Sequence, residues 1–342
     1  MSHFKSIFGA GLFCIDIIQT KVMDQKICYI QNGGSCSNVL EILAKQGWRS
    51  SAMVPTFDDE LSVYYLNRLK DNIPTLVQYG DPIRIPRTRT SFNKSGSPRY
   101  STTCPVCRRS LFKISLPSEA DTKPVVQQHK FNGYFYHDRI SPGIKQLIHA
   151  AVLNGATIVY EPNSARNKKG FLDHSRECDI VKFSAKKIPD SLSEFLRVEA
   201  GRSRVKLLIK TSGHEGLDYS FRLDESTLSP WIHVPNYVDR VVADSSGAGD
   251  WVTAGILFGA EENNMDFLSL SANELALVFE QAGVFARLCC AGIGAQGSLY
   301  GPDEMASLVL NGKTYSSPYG SNFLQRIEDG EFCTECISTN VH

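Results

Sequence analysis

No stretch of these 342 residues approaches the roughly 18 consecutive apolar positions that a membrane-spanning helix needs. Charge of one sign is missing as well. The 36 lysines and arginines equal the 36 aspartates and glutamates, so no strong field draws the chain toward nucleic acid or a membrane surface. Arg84, Arg87, Arg89, Lys94, Arg99, Arg108 and Arg109 do make one basic stretch, which reads as a solvated edge or a patch for an anionic ligand. There is no GxxxxGK[ST] sequence, which excludes the P-loop way of cradling a triphosphate. Internal repeats and long low-complexity runs are absent. The N-terminus offers only Lys5 before an apolar patch broken by Asp16, a poor signal peptide, so the expected location is the cytoplasm, where the sequon Asn93-Lys94-Ser95 has no meaning. What remains, 42% hydrophobic and 21% charged residues, is ordinary globular composition with room for a large core and a minor second unit.

Against that background one segment stands out: Asp244-Ser245-Ser246-Gly247-Ala248-Gly249-Asp250, followed by the apolar run Trp251 to Phe258. Small residues sit where a loop becomes a helix, so backbone N–H groups can reach a ligand, and the helix N-terminus adds partial positive charge. An anion is expected at Gly247, Ala248 and Gly249. Asp250, at the edge of that cradle, is poorly suited to bind an anion. It is well suited to take a proton from a hydroxyl that attacks a phosphoryl group. A second segment, Gly33-Gly34-Ser35-Cys36-Ser37-Asn38, leads into helical spacing at Val39, Leu40, Leu43 and Ala44. The glycine pair lets a polyol approach the backbone, and Asn38 offers both a donor and an acceptor to hydroxyl groups.

Together these two segments resemble the DTxGAGD signature and the GGxxxNxAxxLAxLG segment of the ribokinase-like (PfkB) carbohydrate kinases. Smaller matches follow in order. Phe8 to Asp16 resembles the family's first strand, whose terminal Asp binds sugar hydroxyls. Glu161-Pro162-Asn163-Ser164-Ala165-Arg166 resembles DxNxR, Cys178 to Lys182 resembles (A)DIVK, and Leu207 to Gly216 resembles a strand followed by TxGxxG. The resemblance covers about residues 5 to 325. It implies ATP-dependent phosphorylation of a sugar or sugar-like hydroxyl, with Asp250 as general base and Gly247 to Gly249 as anion hole. It implies acceptor contacts from Asp16, Gly33, Gly34 and Asn38, phosphate contact from Arg166, and a nucleotide site at Lys182, Thr211, Gly213, Gly216 and Gly294. Mg2+ accompanies ATP, and a monovalent cation beside the signature stays an open alternative. The sequence departs from the family after Lys182, where NxxE is replaced by Ser184 to Lys187. Magnesium is therefore expected to rest mostly on ATP phosphates and water. A nucleoside kinase of the same superfamily, or a non-catalytic sugar- or nucleotide-binding protein on the same scaffold, are the alternative readings.

Short apolar runs at 156–160, 179–183 and 205–209 alternate with helical stretches at 143–153 and 191–200. That is the rhythm of a doubly wound, mostly parallel α/β sheet covered on both faces, with ligands beyond the carboxyl ends of the strands. Segments of about 12–30 and 84–130 lack helical periodicity. They are expected to form a small β-sheet lid within one kinase domain of residues 1–330, and a homodimer through that lid is a further expectation. Residues 331–342 are read as a tail. Of ten cysteines, Cys14, Cys28, Cys36, Cys178, Cys289 and Cys290 read as inert buried thiols. Cys104-Pro105-Val106-Cys107 and Cys333-Thr334-Glu335-Cys336 make the four thiolates of a structural Zn2+ site that would clip the tail to the lid, within or between chains. Redox pairs, disulfides or plain surface thiols are the alternatives.

Overall fold

Alternation along β1 (Ser6–Ala10) sets the layers of the main sheet: Ile7 joins one hydrophobic core and Phe8 the other. The protein is described from a computed structural model, covering residues 5–22, 25–92, 98–104, 108–200, 203–236, 242–263, 271–299 and 324–326. β1 is flanked by parallel β4 (Arg49–Phe57) and β8 (Tyr134–His137). Beyond them lie β5 (Thr75–Ile83) on one side, and β9 (Thr157–Tyr160), β10 (Ile180–Ser184) and β11 (Leu207–Thr211) on the other. Antiparallel β12 (Leu217–Phe221) and β13 (Ile232–Val234) complete a nine-stranded sheet.

Both faces are covered, as near-continuous apolar strands require. One core holds residues of α1 (Ser35–Lys45), α2 (Glu60–Asn72), α7 (Ala248–Glu262) and α8 (Ala272–Ala291). The other holds residues of α3 (Glu119–Gln128), α4 (Pro142–Leu153), α5 (Lys168–Ser175) and α6 (Asp190–Glu199). No helix among the described residues is long and apolar enough to cross a membrane.

A separate five-stranded sheet has the order β14-β3-β2-β6-β7. Its strands are β2 (Cys14–Val22), β3 (Gln25–Gly33), β6 (Arg87–Phe92), β7 (Pro98–Ser101) and β14 (Leu324–Arg326). The stretch 84–130 differs from its expectation at its far end, where α3 is a helix on the main domain. A capping box, Ser118 with Asp121, starts it, and Pro124 inside it interrupts the sequence signal. Asp16 also differs from its expected place: it lies on β2 of the small sheet, not at the end of β1.

Candidate active site

The loop before α7 is fixed by Asp244, which is 2% exposed. One of its oxygens accepts from the Ser246 backbone N–H at 2.9 Å and from the Ser246 hydroxyl at 2.7 Å; the other accepts from Gly294 N–H at 2.8 Å. Gly247, the N-cap, sits at φ 79, a left-handed conformation that favours glycine. A Cβ there would also lie 2.3 Å from that of Ala295. The Trp251 indole N–H, donating to Ala295 O at 2.7 Å, holds the same segment against the helix. No side chain caps α7. Its first-turn N–H groups have no partner four residues back, so they point at whatever occupies the space ahead of the helix. Of the three amides expected to form the cradle, that of Ala248 also donates within the turn, to Ser245 O at 3.3 Å.

Asp250 lies in this first turn and is 7% exposed. Asn38 of α1 donates to its Oδ2 at 2.6 Å. Burial, and then the nearby Glu161 carboxylate, push its acid up to about 7, against the opposing pull of Asn38, Lys182 and Ser35. Asn38 Oδ1 is buried without a protein hydrogen-bond partner, so an acceptor stands ready beside the carboxylate. The helices that carry these two residues meet because Gly34, at φ 96, turns β3 directly into α1, where a side chain would strike Leu12 O.

Behind Asp250 the ends of three parallel strands converge. Lys182, on β10 and 2% exposed, donates to Glu161 Oε1 at 2.6 Å. Thr253 and Tyr136 donate to Glu161 Oε2 at 2.8 Å and 3.2 Å. A Cβ on Gly249 would lie 3.5 Å from Lys182 Nζ and 3.8 Å from Glu161 Oε1. Lys182 therefore lies beside the first turn of α7. Next to it Ser184 pairs in register with Thr211, whose hydroxyl bonds Phe183 O at 3.4 Å. Gly213 and Gly216 bound the 3-10 turn that follows, closed by Ser212 N–H on Gly216 O. These residues line the carboxyl ends of adjacent strands, where open α/β sheets bind ligands. Gly294 does not join them: it packs against Gln31 and Ile18 of the small sheet and bonds Asp244. Arg166 is exposed in the loop before α5. Lys187, which stands where the resemblance expects Glu, donates to Oδ1 of Asn163, the asparagine of the DxNxR-like segment, at 2.7 Å.

On the small-sheet side, Asp16 faces Gly33 so closely that a Cβ there would lie 2.3 Å from its carboxylate. Burial raises Asp16 to about 6, opposed by hydrogen bonds from Thr88 and Cys14. Tyr100 of β7 shares a hydrogen bond of 2.7 Å with Ser246. Tyr100, although 61% exposed, thus ties an edge strand of the small sheet to the loop before α7. Asp138, after β8, accepts from Leu12 N–H at 2.8 Å and pairs with Arg139 at 2.8 Å, fixing the backbone that Gly34 packs on. Of the zinc set, Cys104 is buried, and its N–H donates to Arg109 O at 2.9 Å. Cys107, Cys333 and Cys336 lie outside the described residues.

Sequence reasoning missed Thr253, Tyr136, Tyr100 and Asp138. Only Thr253 carried a usable signal, standing three residues after Asp250 on the same helix face.

No family model matches the sequence, and no curated protein matches it. Solved structures match in shape. A ribokinase from Giardia lamblia gives a TM-score of 0.69 at 14% identity, with 91% of this chain and 100% of that chain covered. An adenosine kinase from Sinorhizobium meliloti gives 0.67 at 17% identity, covering 91% and 100%. A fructokinase from Vibrio cholerae O395, solved with fructose, ADP and a calcium ion, gives 0.64 at 14% identity, covering 88% and 98%. At these identities the likeness establishes the fold: this chain is built on the ribokinase-like scaffold.

Proposed function

We propose that this chain is a phosphotransferase that moves the terminal phosphoryl group of ATP to a hydroxyl of a sugar or sugar-like alcohol. The observation that carries the reading is Asp250, a buried carboxylate with its acid raised to about 7, held by Asn38 in the first turn of an uncapped helix. A base of that strength keeps useful proton affinity yet is largely ionised just above neutrality. Asn38 Oδ1 and Asp16 accept from the acceptor's hydroxyls, and Oδ2 of Asp250 takes the proton of the attacking one. The helix N–H groups and Lys182 stabilise the charge that spreads over the transferring phosphoryl oxygens. Thr211, Gly213 and Gly216 line the nucleotide, and Arg166 reaches phosphate from its loop. Magnesium suits this donor set only through ATP phosphates and water, since position 187 presents an ammonium engaged by Asn163. When bound, it neutralises phosphate charge.

The acceptor is either a sugar or a nucleoside, and the names of the fructokinase and the adenosine kinase illustrate both choices on this scaffold. ATP turnover with a panel of sugars and nucleosides tests the proposal. Turnover with one acceptor class supports it, and ligand binding without turnover favours a non-catalytic binding protein. The four-cysteine zinc clip also stands as a proposal, supported by the full burial of Cys104. Elemental analysis of protein purified without chelator tests it, and zinc well below one equivalent would remove it.

A further inference from the structure

Away from the acceptor side, the end of β8 carries a second chemically distinctive cluster. His137, His174 and Cys178 are 0%, 2% and 0% exposed, and one potential ligand atom from each lies within 4.8 Å of the others. His137 closes β8, His174 comes from the last turn of α5, and Cys178 lies in the loop that leads to β10. The rings are packed by Tyr160, which stacks on His137 at 4.7 Å and meets His174 edge-on at 4.8 Å.

Hydrogen bonding sets the tautomer of His137. Its Nδ1 lies 3.1 Å from Arg139 O, an atom that can only accept, so Nδ1 carries the hydrogen. The lone pair is then on Nε2, which faces Cys178 Sγ at 3.7 Å. A thiolate and an imidazole on one tetrahedral ion stand about 3.6 Å apart, given bonds of about 2.3 and 2.0–2.1 Å. His174 is less easily explained as plain core. Neither ring nitrogen has a hydrogen-bond partner. A buried imidazole that makes no hydrogen bond is costly unless something else uses it. Its Nδ1 lies 3.7 Å from the Glu177 carboxylate. A carbonyl behind one histidine and a carboxylate beside the other are the outer partners that metal-bound histidines commonly have.

We propose that His137, His174 and Cys178 form a buried site for one soft transition-metal ion, Zn2+ or Cu+, separate from the ATP and acceptor site. Binding replaces the Cys178 S–H hydrogen, which otherwise points to His174 O at 3.4 Å, with the ion; the proton leaves to solvent and no electrons are transferred. Thiolate and imidazole donors together select these ions over the hard cations that accompany ATP. The site sits one residue from Asp138, so the ion would brace the loop that carries the Leu12 contact.

Crystals of the full wild-type chain, loaded with Zn2+ in one arm and Cu+ in the other, test this by anomalous diffraction at each metal's edge. The expected result is a peak among the three side chains in one arm or both, which also identifies the ion. Metal titration of chelator-stripped protein provides the second reading, with Cys178→Ser and His174→Phe each binding one equivalent fewer than wild type. The difference from wild type separates this site from any zinc on Cys104. No peak in either arm, or stoichiometry unchanged in folded variants, overturns the proposal.

Discussion

Two buried carboxylates, one on α1 and one on α7, show how the same group serves opposite ends. Glu41 is fully buried, and its oxygens accept from Ser37 at 2.8 Å, Asn32 at 3.1 and 3.2 Å, Asn72 at 2.9 Å and Gln296 at 2.8 Å. Its partners come from β3, α1, α2 and the segment after α8, so it ties the small sheet to the helix layer. Burial raises its acid while every one of these donors pulls it down. Asp250 is nearly as buried but is matched by Asn38 and Ser35 rather than by a ring of donors, and another carboxylate stands close by. A carboxylate saturated with donors is a structural tie. One left short of donors at an uncapped helix start keeps the proton affinity that the proposed base requires.

The comparison can be broken first at Asp250. Asp250→Asn removes the base at nearly constant volume, so phosphoryl transfer should fall by about 10²–10⁴-fold while acceptor binding is nearly spared. Steady-state kinetics alongside calorimetric binding check this, and a variant with wild-type turnover would exclude Asp250 from the chemistry. The pH profile of kcat/KM sharpens it. Because the carboxylate must be ionised to act, activity should rise as pH climbs through about 7 and fall below it.

A smaller effect is expected at the neighbouring donor. Asn38→Ala removes a hydrogen bond that favours the ionised form, so the acidic limb should move to higher pH and the acceptor KM should rise by about tenfold, one charge-assisted hydrogen bond's worth. An unmoved limb with a raised KM would mean that Asn38 touches the acceptor without tuning the base. The smallest effect is expected at Lys187. Lys187→Glu should lower the magnesium concentration for half-maximal activity a few-fold, read from initial rates against free Mg2+. No change would mean that position 187 does not face the nucleotide.

The parts of the site made from contiguous residues were legible in the sequence. The Gly247–Asp250 loop and the Gly33–Asn38 turn each demand small residues and a helix start within a few positions, so their geometry is written locally. The parallel sheet was legible from its strand–helix rhythm. What could not be read came from several segments at once. Glu41 looks like a surface residue on a helix until Asn32, Asn72 and Gln296 arrive from elsewhere. Tyr100 and the placement of Asp16 on β2 depend on how the small sheet sits against the main one, and α3 was hidden by Pro124. His137, His174 and Cys178 carry no shared motif; only the packing of β8 against α5 brings them together.

The most direct test of the contrast is the unfolding free energy, by denaturant at pH 8, of wild type, Asp250→Asn and Glu41→Gln. The account predicts opposite signs. Glu41→Gln relieves a raised acid as well, but it sets an amide N–H₂ among four donors that need an acceptor, which outweighs that relief and should cost about 1–3 kcal/mol. Asp250→Asn removes a charge whose folded acid is raised to about 7, a penalty present above that pH and lost as pH falls toward the unfolded value. It should therefore stabilise the chain by about 1 kcal/mol or more at pH 8. Destabilisation by both substitutions to a similar degree would contradict the account, because Asp250 would then be a structural tie like Glu41.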